Sequence, residues 1–147
     1  MNVTIIHGPN LNLLGTREPD IYGKGTLKSI NDQLQTMSES LGVKLDIYQS
    51  NYEGEIVELI QDCRSNCDGL IINPAAFTHY SIAIRDAIGS LSIPVIEVHL
   101  SNIYRREEFR SNSVISPVVT GQISGLAEES YFVALTGLIN HLRGRGE

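Results

Sequence analysis

What this chain has little of narrows the field first. Its 147 residues include two cysteines, Cys63 and Cys67, four apart on a predicted helix. They lack the further Cys or His ligands that a zinc site needs, and helix geometry disfavours bridging them, so they read as reduced structural thiols. Basic residues are scarce. With 11 Lys and Arg against 17 Asp and Glu, the net charge is −6, the wrong sign for a surface that tracks nucleic-acid phosphates. No apolar run reaches the length of a membrane-spanning helix. The N-terminus passes into a predicted strand without a basic leader or cleavage site, and the expectation is a cytoplasmic protein. Phosphate-cradling GxGxxG and GxxxxGKS/T patterns are missing, as is the GxSxG elbow of serine nucleophiles. After the first strand, where a phosphoacceptor of the response-regulator kind needs a carboxylate pair, the chain offers His7 and Asn10. His, Asp and Glu nowhere cluster at metal spacing.

What is present reads as one domain over residues 1–147, without a composition break, an internal repeat or a low-complexity linker. Val3 to His7 is predicted as a strand. Leu27, Ile30, Leu34, Met37 and Leu41 recur at helical spacing, with Thr26 as N-cap and Gly42 past the end. Val43, Leu45 and Ile47 alternate as a second strand. Ile56, Ile60, Cys63 and Cys67 mark a helix opened by Asn51, and Gly69 to Ile72 is a short apolar third strand. Ile84, Ala87, Ile88 and Leu91 make a helix, and Val95 to Val98 a fourth strand. A polar segment with a helical turn over 105–110 follows. Val118 to Thr120 is expected as strand five, and Tyr131, Leu135, Leu138 and Leu142 carry the last helix.

Strands alternating with helices imply a parallel sheet, because parallel neighbours need crossover connections. The expected fold is a flavodoxin-like, doubly wound five-stranded α/β sheet of order 2-1-3-4-5 with helices on both faces. Ligands of such sheets bind beyond the carboxyl ends of the strands where the winding reverses, between strands one and three. The unusual loops follow strands one, three and four, so they converge there.

The loop after strand one, around residues 11–25, is long and rich in Gly, Pro and Asn, and ends with Arg17 and Tyr22. It is expected to be a mobile lid, with Gly15, Gly23 and Gly25 supplying freedom. An ordinary tyrosine ionises near ~10, so acting as a base at neutral pH takes about 4 kcal/mol of tyrosinate stabilisation. Arg17 and one arginine of the Arg105, Arg106 and Arg110 group would supply it. The same residues also fit a tyrosine packing its loop, and a solvated helix face neutralised by Glu107 and Glu108. Glu97 and His99, two apart on a strand, face the same side, so the carboxylate can set the tautomer of an acid imidazole. A structural buried hydrogen bond is the alternative. With Asn10, Asn12, Asn73 and His79, this is an acid–base set without a covalent nucleophile.

The motifs Gly8-Pro9-Asn10-Leu11-Asn12-Leu13-Leu14-Gly15, Arg17-Glu18-Pro19 and Tyr22-Gly23 open a longer pattern. It continues through Gln49-Ser50-Asn51, Asn73-Pro74-Ala75-Ala76-Phe77-Thr78-His79, Arg85-Asp86-Ala87, the segment 96–102, Arg106-Glu107-Glu108-Phe109-Arg110 and Ser116-Pro117. In order and spacing, the whole chain resembles the type II 3-dehydroquinate dehydratases. The resemblance implies a lyase converting 3-dehydroquinate to 3-dehydroshikimate by anti elimination through an enolate, without metal, cofactor or Schiff base. It serves either the shikimate pathway or quinate breakdown. By the same resemblance Tyr22 is the base, Arg17 and Arg106 favour its tyrosinate, and Asn10 stabilises the enolate through an ordered water. His99, oriented by Glu97, protonates the departing hydroxyl. Asn73 with the backbone amides of Leu100 and Ser101 takes the carboxylate; His79 and Arg110 take ring hydroxyls. Asp86 reaches in from a neighbouring subunit of a homododecamer, a tetramer of trimers. The remaining alternative is a binding module on the same fold that holds the ligand without turnover.

Overall fold

The apolar run after Met1 forms β1, Asn2–His7, and the sheet is built outward from it. The computed structural model describes residues 1–16, 18–22 and 25–145, excluding the side chains of Pro19 and Tyr22. The other strands are β2 (Lys44–Gln49), β3 (Gly69–Asn73), β4 (Val95–His99) and β5 (Gly121–Ser124). They lie in the order β2-β1-β3-β4-β5, every neighbouring pair parallel. The order reverses between β1 and β3, as expected for a doubly wound sheet.

Alternation along the strands sorts the core into two layers. Val3, Ile5, Ile71 and Val98 point to one face, where α2 (Leu27–Ser40) and α5 (Glu129–Gly144) cover them. Ile6, Leu70, Ile72 and Val95 point to the other, against α3 (Glu53–Asn66) and α4 (Ile82–Gly89). A short helix α1, Pro19–Tyr22, precedes α2. Thr26 caps α2, its hydroxyl accepting from the Ser29 N–H at 3.1 Å, and Gly42 leaves the helix with a φ of 69°. Ser81 caps α4 in the same way through the Ile84 N–H at 3.1 Å. Each cap satisfies one of the first-turn amides that a helix leaves unpaired.

Four local expectations are corrected. The last strand is Gly121–Ser124 rather than Val118 to Thr120. Val118 and Val119 spend their apolar surface against the α3/α4 layer, while a half-buried edge strand manages with Gln122 and Ile123 on opposite faces. The expected helical turn over 105–110 is two 3₁₀ turns, Ile103–Arg105 and Glu108–Ser111, interrupted where Arg106 is extended. Asn51 does not open α3, because Tyr52 holds the N-cap position and the Asn51 amide is engaged elsewhere. Cys67 lies past the end of α3 in an extended conformation; both thiols are free. Among the described residues, no helix is long and apolar enough to cross a membrane.

Candidate active site

Three loops meet at the carboxyl ends of β1, β3 and β4, and each has a local reason for its course. Gly8 donates its N–H to the Asn73 carbonyl at 2.7 Å. A Cβ at Gly8 would lie 2.7 Å from Pro74 backbone atoms, so only glycine lets these loops touch. Asn10 then takes a left-handed φ of 68°, held by its N–H donating to Asn51 Oδ1 at 3.0 Å. Gln49 Nε2 donates to the Gly8 carbonyl at 3.2 Å and to the same Asn51 oxygen at 3.1 Å. Leu11 and Leu14 are buried in the core, which ties down the start of the loop. After β3, Ala75 is left-handed at φ 52°, and its N–H donates to Asn73 Oδ1 at 3.1 Å. After β4, Asn102 Oδ1 accepts from the Tyr104 N–H at 3.1 Å and starts the first 3₁₀ turn.

Between these loops is a pocket of about 560 Å³, open to solvent. The first loop lines it with Asn10 and Leu11, the second with Asn73, Ala75, Ala76 and His79. The third contributes His99, Leu100, Ser101, Ile103, Arg106 and Arg110. Eight of the expected site residues therefore come together: Asn10, Asn73, His79, His99, Leu100, Ser101, Arg106 and Arg110.

Glu97 lies behind His99, fully buried. Its Oε2 is 3.6 Å from His99 Nε2, an ion-pair separation rather than a hydrogen bond. The carboxylate instead accepts from Ser113 Oγ at 2.7 Å, Ser116 Oγ at 2.6 Å and Gln122 Nε2 at 2.7 Å. Burial works to raise its pKa, but the adjacent imidazole and the Ser116 and Ser113 hydroxyls outweigh it and hold Glu97 below the usual carboxylate range. His79 Nδ1 is 2.8 Å from the Asn112 carbonyl. A carbonyl only accepts, so Nδ1 carries the proton and Nε2 is left as an acceptor. Burial, reinforced by the charges of His99 and Arg110, lowers the His79 pKa and favours its neutral form. Arg110 Nε donates to Glu107, and its guanidinium lies 4.9 Å over Phe109. Arg106 donates to Ser101 Oγ at 3.5 Å. Two arginines on one wall, with neutral amides opposite, suit a small anion bearing hydroxyl groups.

Arg17 and the Tyr22 side chain lie outside the described residues, as do Gly23 and Lys24 of the expected lid. Asp86 is exposed on α4 and does not line its own chain's pocket. Among the described residues no group of three or more His, Cys, Asp or Glu side chains is arranged to hold a metal ion. Sequence reasoning gave no individual role to Gln49, Ser113 or Gln122, and cast Asn51 only as a helix opener. Their tasks are tertiary, and the residues they serve are distant along the chain or across the sheet.

Comparison with known proteins agrees with this geometry. Residues 1–139 match the family Dehydroquinase class II. The 3-dehydroquinate dehydratase of Trichodesmium erythraeum (strain IMS101) is 53% identical, over 99% of this chain and 97% of its own. That of Acaryochloris marina (strain MBIC 11017) is 54% identical, over 97% and 95%. The crystal structure of type II dehydroquinase from Butyrivibrio crossotus DSM 2876 superposes with a TM-score of 0.92 at 46% identity, covering 94% of this chain and 97% of that one. A family match over residues 1–139, near-complete mutual coverage and identity near one half leave one placement: the chain belongs to the class II dehydroquinase family.

Proposed function

We propose that this pocket dehydrates 3-dehydroquinate to 3-dehydroshikimate by anti elimination through an enolate. The observation that carries the reading is the convergence of acid, amide and arginine groups from three separate loops on one pocket. In the proposed reaction Tyr22, as tyrosinate, removes the proton beside the carbonyl, and the bond's electrons move to the carbonyl oxygen. Arg17 and Arg106 favour the tyrosinate. Asn10 stabilises the enolate through an ordered water, a neutral amide meeting negative charge where it develops. As the enolate collapses, the ring hydroxyl departs, taking a proton from His99 and leaving as water. The ionised Glu97 behind the ring supports the charged imidazole before that transfer.

Binding is assigned by the same reading. The carboxylate goes to Asn73 and the backbone amides of Leu100 and Ser101. The ring hydroxyls go to His79, whose Nε2 is free to accept, and to Arg110. Residues 11–25 form a segment that closes over bound substrate from its buried anchor at Leu11 and Leu14. The single catalytic domain assembles into trimers and a dodecamer in the cytoplasm, with Asp86 completing a neighbour's site. Its step belongs to the shikimate pathway or to quinate breakdown, and it needs neither metal nor cofactor nor Schiff base.

The test is incubation with 3-dehydroquinate while following ultraviolet absorbance as the conjugated enone forms. The native protein should turn over, and Tyr22→Phe should lose roughly 10²–10⁴-fold in kcat while keeping its fold. Turnover undiminished in the variant would move the base elsewhere. Binding without turnover by the native protein would leave a ligand-holding module.

A further inference from the structure

Asn73 must present a particular end of its amide to the pocket, and the way that end is selected lies below the site. We propose that His7, Tyr131 and Asn31 form a buried relay that fixes the orientation of the Asn73 side chain. They are thereby positioning residues for the carboxylate-binding corner of the pocket. The proposal deepens the dehydratase reading and rests on it for the identity of the ligand.

The four residues come from four elements on the same face of the sheet: β1, α2, β3 and α5. His7, Asn73 and Tyr131 are buried. His7 Nε2 is 2.9 Å from Asn31 Oδ1, and His7 Nδ1 is 2.8 Å from the Tyr131 hydroxyl. Asn73 Nδ2 donates to that hydroxyl oxygen at 3.0 Å. At its other end, Asn73 Oδ1 accepts from the Ala75 N–H at 3.1 Å.

The inventory of donors and acceptors gives this chain one consistent direction. An amide oxygen only accepts, so His7 Nε2 carries the proton. A neutral ring then has a lone pair at Nδ1, and the Tyr131 O–H must donate to it. With its hydrogen committed, the Tyr131 oxygen can only accept, which selects Nδ2 rather than Oδ1 of Asn73. A flipped Asn73 would set oxygen against oxygen at Tyr131 and N–H against N–H at Ala75. Two pairings would be lost at a buried site, where unmade hydrogen bonds are costly. Nδ2 has two hydrogens and Tyr131 takes one; Asn73 lines the pocket, so the other is available to an oxygen acceptor there.

The electrostatics agree. Burial lowers the His7 pKa to about 4, against the opposing effect of the Asn31 bond, so the ring is neutral at ordinary pH. Burial pushes the Tyr131 phenol up, against the Asn73 bond, so its proton stays on. The rings also meet edge to face, centroids 5.0 Å apart at 63°, which keeps the Tyr131 hydroxyl on Nδ1. Among the described residues, His7, Asn31 and Tyr131 do not line the pocket themselves. The relay's role is orientation alone.

The first arm of the test uses the native protein. Nitrogen NMR of the imidazoles should show His7 protonated at Nε2. Protonation at Nδ1 would reverse the relay and overturn the proposal. The second arm is a double-mutant cycle. Tyr131→Phe keeps the ring in the core and removes the hydroxyl. It should raise KM for 3-dehydroquinate roughly tenfold with kcat within about twofold, because a carboxylate contact is equal in ground and transition states. In an Asn73→Ala background the same substitution should add nothing. Equal increments in both backgrounds would mean a merely structural tyrosine and would overturn the proposal. If the native protein binds 3-dehydroquinate without turning it over, the dehydratase reading fails. The cycle then runs unchanged on calorimetric Kd. If Tyr131→Phe does not fold, or if the native protein does not bind, the NMR arm alone decides.

Discussion

A carboxylate with no access to solvent depends on its neighbours for every hydrogen bond, and Glu97 depends on Ser113, Ser116 and Gln122. Because its folded pKa is lowered, Glu97 contributes stability at pH values above its ordinary 4.5, and that contribution is lost as pH falls through the folded value. Glu97→Gln should therefore flatten the pH dependence of urea unfolding between about pH 5 and 3, where the native protein weakens. Equal slopes for both proteins would show that the acid sensitivity arises elsewhere. Ser116→Ala removes one donor and leaves the charge buried, for a loss of about 1–3 kcal/mol in the same assay at neutral pH. That Glu97 and His99 share a side was legible in the sequence because residues two apart on a strand face the same way, but the hydrogen bond expected between them is not made at 3.6 Å. The donors to Glu97 were not legible, since they come 16, 19 and 25 residues later and only the fold brings them back. The same holds for His7 and Tyr131, 124 residues apart.

At the scale of elements, the loops that follow β1 and β3 approach closely at Gly8. Gly8→Ala would press a methyl group into Pro74 backbone atoms at 2.7 Å. Backbone cannot turn aside as a side chain can, so the loops must separate, at about 1–3 kcal/mol. The expected outcome is a lower midpoint in thermal unfolding together with a weakened substrate KM; an unchanged midpoint would mean that the loops accommodate the methyl group. The covering segment has its own measurement. Bound substrate or an unreactive analogue should slow limited proteolysis within residues 15–25, and equal cleavage with and without ligand would end that idea. Strands β1, β3 and β4 could be read from sequence because parallel strands buried on both sides are largely apolar, and β2, at the sheet edge, from the alternation of Val43, Leu45 and Ile47. Strand β5 could not, since Gly121-Gln122-Ile123-Ser124 carries only one apolar residue. The nearby Val118 and Val119 imitate a strand while packing as a turn.

For the whole molecule, a single chain leaves large apolar side chains in water around the start of α4. Tyr52, Tyr80 and Ile82 are 73%, 62% and 55% exposed. Ser81 Oγ donates to Glu53 Oε2 at 2.7 Å, which brings the beginnings of α3 and α4 together. Exposed apolar side chains of this kind suit the proposed assembly, and Asp86 lies on α4 with Ile82. Sedimentation should find trimers or dodecamers with activity, and dissociated monomers without it. An active monomer would remove any need for a neighbour's Asp86.

The two layers of the core have a consequence for how this protein can change over time. Asn73 and the groups that aim it belong to the face covered by α2 and α5, whereas His99, Glu97 and the hydroxyls that donate to Glu97 belong to the face covered by α3 and α4. In the proposed reaction, the Asn73 contact to the carboxylate and the delivery of the proton are thus sustained from opposite sides of a sheet that side chains do not cross. Variation accumulating in one layer can retune its own half of the task while the other half keeps its setting, and the strands between them act as insulation.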